Sequence, residues 1–171
     1  ALTTYSSTQS KKMLDTELLT TYTDVKTEWV DYNEHMNMGY YLVAFDQVAT
    51  EQFYDFINIG LAHKQALSKT TFTLGANIDY IREVMKGDRL RITSQLADYD
   101  HKRVHYIHCM YHAEDGYLAA TNECLGIYVD LKTRRSTSFS NEQMARFQQE
   151  LDRGHQFPIP QEFGRKLGIP R

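Results

Sequence analysis

At 171 residues, 42% hydrophobic and 24% charged, the chain can enclose one core and is short for two. A formal net charge of -3 argues against nucleic-acid or anionic-membrane partners. No apolar run approaches the ~20 residues of a membrane span, and the opening ALTTYSSTQSKK lacks the hydrophobic segment of a secretory signal, so a single cytoplasmic domain is expected.

Residues 1–18 are Ser/Thr-rich and aperiodic, which predicts a flexible arm ahead of a domain over 19–151. The β-branched and aromatic content of Thr21 to Val30 predicts a first strand. From Gly39 to Ile59, Leu42, Phe45, Ala49, Phe53 and Phe56 recur at three-to-four spacing, predicting one long helix with Asn37 as N-cap and Gly60 as stop. After a short helical connection, four strand-like runs follow: Thr70 to Ile81, Arg89 to Tyr99, Val104 to His112 and Tyr117 to Leu131. MKGD, DYDHK and AEDG separate them, which suggests an antiparallel meander. Asn141 to Leu151 reads as a final helix behind a Ser140 cap, with Met144, Phe147 and Leu151 on one side, and residues 152–171 as an extended tail. Strand, long helix and meander make an α+β domain, a sheet wrapped around a central helix. Its apolar area and sheet edges predict a homodimer or a dimer of dimers.

Cys109 and Cys124 lack CxxC spacing and read as packed, reduced thiols. The histidines between His101 and His112 do not predict a metal site. In a strand, His105 faces away from His108 and His112, and those two lie about 13 Å apart at ~3.3 Å per residue. No cofactor is called for.

The stretch EWVDYNEHMNMGYYLVAF sets polar groups, Asp31, Asn33, Glu34, His35 and Asn37, between aromatics at the start of the long helix. That mixture suggests a pocket. With the order of elements, WVDYNEHMN resembles the hot-dog acyl-CoA thioesterases of the 4-hydroxybenzoyl-CoA thioesterase type, whose pattern is matched by Asp31, His35, Met36, Asn37 and Tyr40. Glu34 stands where that pattern has Gly, a residue free to take positive φ. DYN, YVDLKTRRS and GRKLGIPR resemble more narrowly the betainyl-CoA thioesterases associated with carnitine dehydrogenase.

The resemblance implies hydrolysis of a small acyl-CoA, and the residues fit that chemistry. Asp31 can act as nucleophile or as general base on water. Free N–H groups at the helix start, those of Met38 and Gly39, can hold the developing oxyanion, and the helix dipole adds to the attraction. His35 and Asn37 would shape the loop or orient substrate. Each also has a plain structural reading: a loop-capping Asp31, an N-cap Asn37, a spacer His35. Asp46 and Glu51 on the helix are second-choice carboxylates. Trp29, Tyr32, Tyr40 and Tyr41 could cage a quaternary ammonium group through their ring faces, or serve as core. Among basic residues at strand ends, Lys132, Arg134 and Arg135 are the first choice for the CoA phosphates. Two other activities compete, a hot-dog hydratase or dehydratase and a non-catalytic acyl-CoA binding protein. A missing His-Phe-Pro or Asn-Pro-His motif counts against the former.

Overall fold

The computed structural model describes residues 17–165 together with Leu167 and Ile169. The arm expected over 1–18 lies outside them but for its last two residues. The chain runs β1 (Leu19–Asp24), α1 (Met38–Ala44), α2 (Glu51–Phe56), α3 (Leu61–Leu67), β2 (Lys69–Tyr80), β3 (Arg89–Tyr99), β4 (Arg103–His112), β5 (Leu118–Asp130), β6 (Arg135–Ser136) and α4 (Asn141–Gly154). A π-helical turn, Phe45–Thr50, joins α1 to α2 without a break, so one helix runs from Met38 to Phe56. The curled sheet packs against it, in the α+β architecture expected.

Strand order is β1-β3-β4-β5-β2, with β6 paired to β5 and every pairing antiparallel. The meander is therefore confined to β3, β4 and β5. β2 pairs with β5, Lys69 opposite Asp130 and Tyr80 opposite Ala120, and MKGD belongs to a crossover. After Tyr80 the chain leaves the sheet, with the N–H groups of Ile81 and Arg82 both on Ala119 O, and enters β3 beside β1. The first strand is shorter than expected. Val25 N–H turns to Asp88 O at 2.9 Å, and a 3-10 turn, Thr27–Trp29, then buries Trp29.

The helix buries Tyr41, Ala44, Phe45, Ala49, Phe53 and Ile57, while Leu42 is 45% exposed. The buried stripe is thus displaced by one residue from the expected one at its start. Gly60 does not stop the helix. Asn58 takes the left-handed turn at φ 61, and Gly60 caps α3, where a Cβ would lie 1.8 Å from the Asp55 Oδ1 that binds Leu61 N–H. At the chain's end, Ser140 and Gln143 form a reciprocal capping box at the start of α4, which buries Phe147 and runs to Gly154, past the expected Leu151.

The tail is a strap rather than a free extension. Gln95 of β3 donates to Gly154 O at the end of α4 and to Phe157 O just beyond it, Phe163 stacks on His105 of β4, Gly164 N–H bonds the Glu123 carboxylate of β5, and Arg165 pairs with Asp79 of β2. His108 contacts the helix and His105 lies three residues away on the same strand, so strand alternation puts the strap on the face away from the helix. Among the described residues, no helix is long and apolar enough to cross a membrane.

A polar row passes through the core. His108 is fully buried, with Nε2 2.9 Å from Thr50 Oγ1 and Nδ1 2.8 Å from Ser94 Oγ. Thr50 Oγ1 also donates to Phe45 O at 3.1 Å, inside the π turn. Burial pushes the His108 pKa down to about 3, since a charged imidazole would lose its hydration. The unfolded chain therefore takes up a proton, at its ordinary pKa of about 6.5, that the folded chain refuses. Stability should fall as the pH drops from about 6.5 toward 3. His108→Gln should flatten this acid limb by up to about 1.4 kcal/mol per pH unit, measured by urea unfolding at a series of pH values.

Candidate active site

The polar stretch forms a compact hairpin-like loop closed by Asp31. Asp31 N–H donates to His35 O at 2.9 Å and Asp31 O accepts from Glu34 N–H at 3.0 Å. Its side-chain Oδ1 accepts the N–H groups of Asn33 at 2.8 Å and His35 at 3.2 Å. One carboxylate oxygen thus orders the loop, and among the described residues Oδ2 makes no hydrogen bond. Glu34 stands at φ 61, the left-handed conformation that the family pattern assigns to Gly. Glu holds that conformation at a cost on the order of 1 kcal/mol. His35 turns its Nδ1 to Glu83 Oε2 at 3.3 Å.

The loop feeds directly into the helix. Asn37 N–H bonds Trp29 O at 2.9 Å, and Asn37 caps the first turn, its Oδ1 accepting Gly39 N–H at 3.2 Å. Asn37 is therefore the N-cap expected, but it takes up one of the two N–H groups assigned to an oxyanion. The Met38 N–H has no hydrogen-bond partner among the described residues, and at a helix N-terminus it is a ready anion donor. Tyr80, at the end of β2, donates its hydroxyl to Met38 O at 3.0 Å. A cleft of about 350 Å³ lies beside it, lined by Asp79, Tyr80, Ile81, Gln161, Glu162 and Arg165.

The four aromatics do not make one cage within the chain. Trp29 and Tyr40 come together, stacked at 6.2 Å and 17°. Tyr41 is buried edge-on against Tyr80 at 5.2 Å, and burial raises its hydroxyl pKa. Tyr32 is 95% exposed. The aromatic the sequence reading missed is Tyr80. Only the β2–β5 register and the course of the helix bring it to Met38, and neither leaves a local mark in the sequence.

The basic turn is displaced further. Lys132, Arg134 and Arg135 follow Asp130, whose Oδ1 accepts Lys132 N–H at 2.8 Å and whose O accepts Arg134 N–H at 2.8 Å. Asp130 pairs with Lys69, eleven residues along β2 from Tyr80, or about 35 Å at ~3.3 Å per residue. The basic turn and the helix start of one chain therefore cannot share one CoA phosphate group. Asp46 and Glu51 are exposed on the helix. His105, His108 and His112 each turn to separate partners, Glu123, Ser94 with Thr50, and Asp88. Among the described residues, no three His, Cys, Asp or Glu side chains are placed to hold a metal.

A curled antiparallel sheet packed against a long central helix is the architecture of the hot-dog thioesterases. The chain belongs to the Thioesterase-like superfamily, whose family model matches residues 25–147. It is 34% identical over 155 residues to a Pseudomonas aeruginosa protein named betainyl-CoA thioesterase, covering 90% of this chain and 97% of that one. It is also 30% identical over 149 residues to a Rhizobium meliloti protein named L-carnitine dehydrogenase/betainyl-CoA thioesterase, covering 87% of this chain and 30% of the longer protein. Among solved structures, it resembles a hypothetical protein of Staphylococcus aureus in complex with CoA. The TM-score is 0.84 at 30% identity, over 92% of this chain and 99% of that one.

Glu34 offers a direct test of the loop. Glu34→Gly is expected to fold with equal or higher stability, because Gly enters the left-handed region without strain. Glu34→Val, β-branched, is expected to lose about 1–3 kcal/mol, read by chemical denaturation.

Proposed function

We propose that the chain hydrolyses betainyl-CoA to betaine and free CoA, as a small-acyl-CoA thioesterase of the cytoplasm. The observation that carries the reading is the Asp31 carboxylate, held by two backbone N–H groups in the loop that leads into a helix start with an unbonded Met38 N–H. The near full-length relative named betainyl-CoA thioesterase and the structural neighbour in complex with CoA support the substrate.

With Oδ1 fixed to the loop, Oδ2 is the oxygen left for chemistry. It either attacks the thioester carbon to give a mixed anhydride that water then opens, or takes a proton from the water that attacks. In both routes the C–S bond breaks, the acyl group gains the oxygen of water and the CoA sulfur leaves to be protonated. Met38 N–H at the helix start stabilises the carbonyl oxygen as it becomes negative, a contact worth about 3 kcal/mol of barrier. Gly39 N–H joins it where substrate draws it from Asn37. The trimethylammonium group has no N–H to donate, so ring faces must hold it; Tyr40 on the helix's first turn and Tyr80, bonded to Met38 O, present exposed rings there, whereas the Trp29 ring is buried beneath Tyr40 and Lys26.

The CoA phosphates are held by a second copy. β2 is an edge strand with Phe72 46% and Leu74 56% exposed, and a homodimer paired antiparallel along it turns the strand end for end. That operation carries Lys132, Arg134 and Arg135 of the partner subunit toward this chain's Tyr80.

Free CoA released from betainyl-CoA and from neutral acyl-CoAs of similar size tests the reading. Asp31→Asn should lower turnover at least about a hundredfold with circular dichroism and melting unchanged; full activity in that variant would remove Asp31 from the mechanism. Arg134→Ala combined with Arg135→Ala should raise KM for the CoA ester about tenfold with little change in kcat. An unaltered KM would assign the phosphates elsewhere.

A further inference from the structure

The Asp31 loop is registered against a second segment that belongs to no long strand. Met36 N–H bonds Val84 O at 2.9 Å, Lys86 N–H bonds Glu34 O at 2.9 Å, and His35 pairs with Met85 in an isolated bridge. That segment is in turn held from behind at both ends. Asp88 Oδ2 accepts Met85 N–H at 2.8 Å and lies 3.4 Å from His112 Nε2. Tyr117, stacked on His112 at 5.1 Å and 26°, donates its hydroxyl to Glu83 O at 2.8 Å.

The tautomer of His112 follows from its other nitrogen. Nδ1 accepts the N–H of Asp115 at 3.0 Å, so its lone pair is engaged and the ring hydrogen of the neutral imidazole sits on Nε2, directed at Asp88. His112 is 7% exposed, which leaves the ring little freedom to choose another partner. A continuous chain of contacts therefore runs from His112 through Asp88, Met85 and His35 to the Asp31 carboxylate.

We infer that His112 and Asp88 are positioning residues for the thioester reaction: they fix the 83–86 segment, which fixes the His35 N–H that orients Asp31. Neither meets substrate in this scheme. The inference rests on the Asp31 reading above, and it gains its force from the steep dependence of such reactions on geometry, where a 1 Å misplacement can cost about a hundredfold.

The experiment measures kcat and KM separately for His112→Leu and His112→Gln, with amide hydrogen exchange across residues 31–37. Gln offers one N–H and one C=O, the pair of functions His112 uses, whereas Leu offers neither. Expected are a loss of about tenfold or more in kcat for the leucine variant, KM within twofold, faster exchange at the Asn33 and His35 amides, and recovery of most of kcat by the glutamine variant. Equal losses in both variants, or a loss confined to KM, would overturn the positioning role. Should His112→Leu fail to fold, Asp88→Ser, whose hydroxyl is too short to bridge Met85 and His112, takes its place with the same expectations. If the wild type releases CoA from none of the thioesters, the Asp31 reading fails by itself. Exchange then decides the link alone, upheld by faster exchange at Asn33 and His35 and overturned by unchanged protection.

Discussion

A helix enclosed by a sheet cannot end where it pleases, because each of its first N–H groups needs a partner or a ligand. Here Ala44, Phe45, Ala49, Phe53 and Ile57 have no exposed surface and fix the axis, while the first turn itself faces solvent. The first turn is met by Asn37, which caps Gly39 with its side chain and Tyr40 with its carbonyl. Met38 N–H remains. The loop before it is shaped to bring Asn37 into place, and the same backbone path sets Asp31 just ahead of the helix. Cap and free donor thus sit at the exposed start of a helix whose inner face is buried, with the Asp31 loop leading directly into them.

Polarity elsewhere in the core is managed differently. His108 gives both ring nitrogens to hydroxyls, from Ser94 and from the Thr50 that also closes on the Phe45 carbonyl. A hydroxyl donates its single proton and can accept another at the same time, so Thr50 gives its hydrogen to Phe45 O and accepts the His108 Nε2 hydrogen. Next to His108 on the sheet is Asn122, whose buried Oδ1 has no hydrogen-bond partner among the described residues. Such an atom costs stability, and its place on the helix side of the sheet marks this region as one not optimised for packing alone.

The sequence was most legible where local rules decide. Period-two runs locate β3 at its observed bounds and β2, β4 and β5 within one residue, while β1 is read too long and the short β6 leaves no signal, and Ser140 and Asn37 announce their helices because capping needs a short acceptor at one position. Pairing was not legible. β2 resembles a hairpin partner of β3, but β1 occupies that place, and only long-range register shows it. The helix stripe was read one residue off at its start, because Tyr41 passes for a polar-face residue and Leu42 for a core one. In the site, Asp31, His35 and Asn37 are neighbours along the chain and were found together. Tyr80 comes from a distant strand end, and Tyr32 beside Asp31 turns out exposed, since adjacency in a tight loop says little about which way a ring is turned.

The C-terminal strap touches β3, β4, β5 and β2 in the order in which they lie side by side. It does so on the outer face. In mechanical terms it is a tie laid across the convex side of a bent plate: bending the plate further would lengthen the outer path, and a tie anchored at four points resists that stretch. The strap therefore resists further bending of the sheet around the helix, so that the curvature of the molecule is set from outside as well as by the core within.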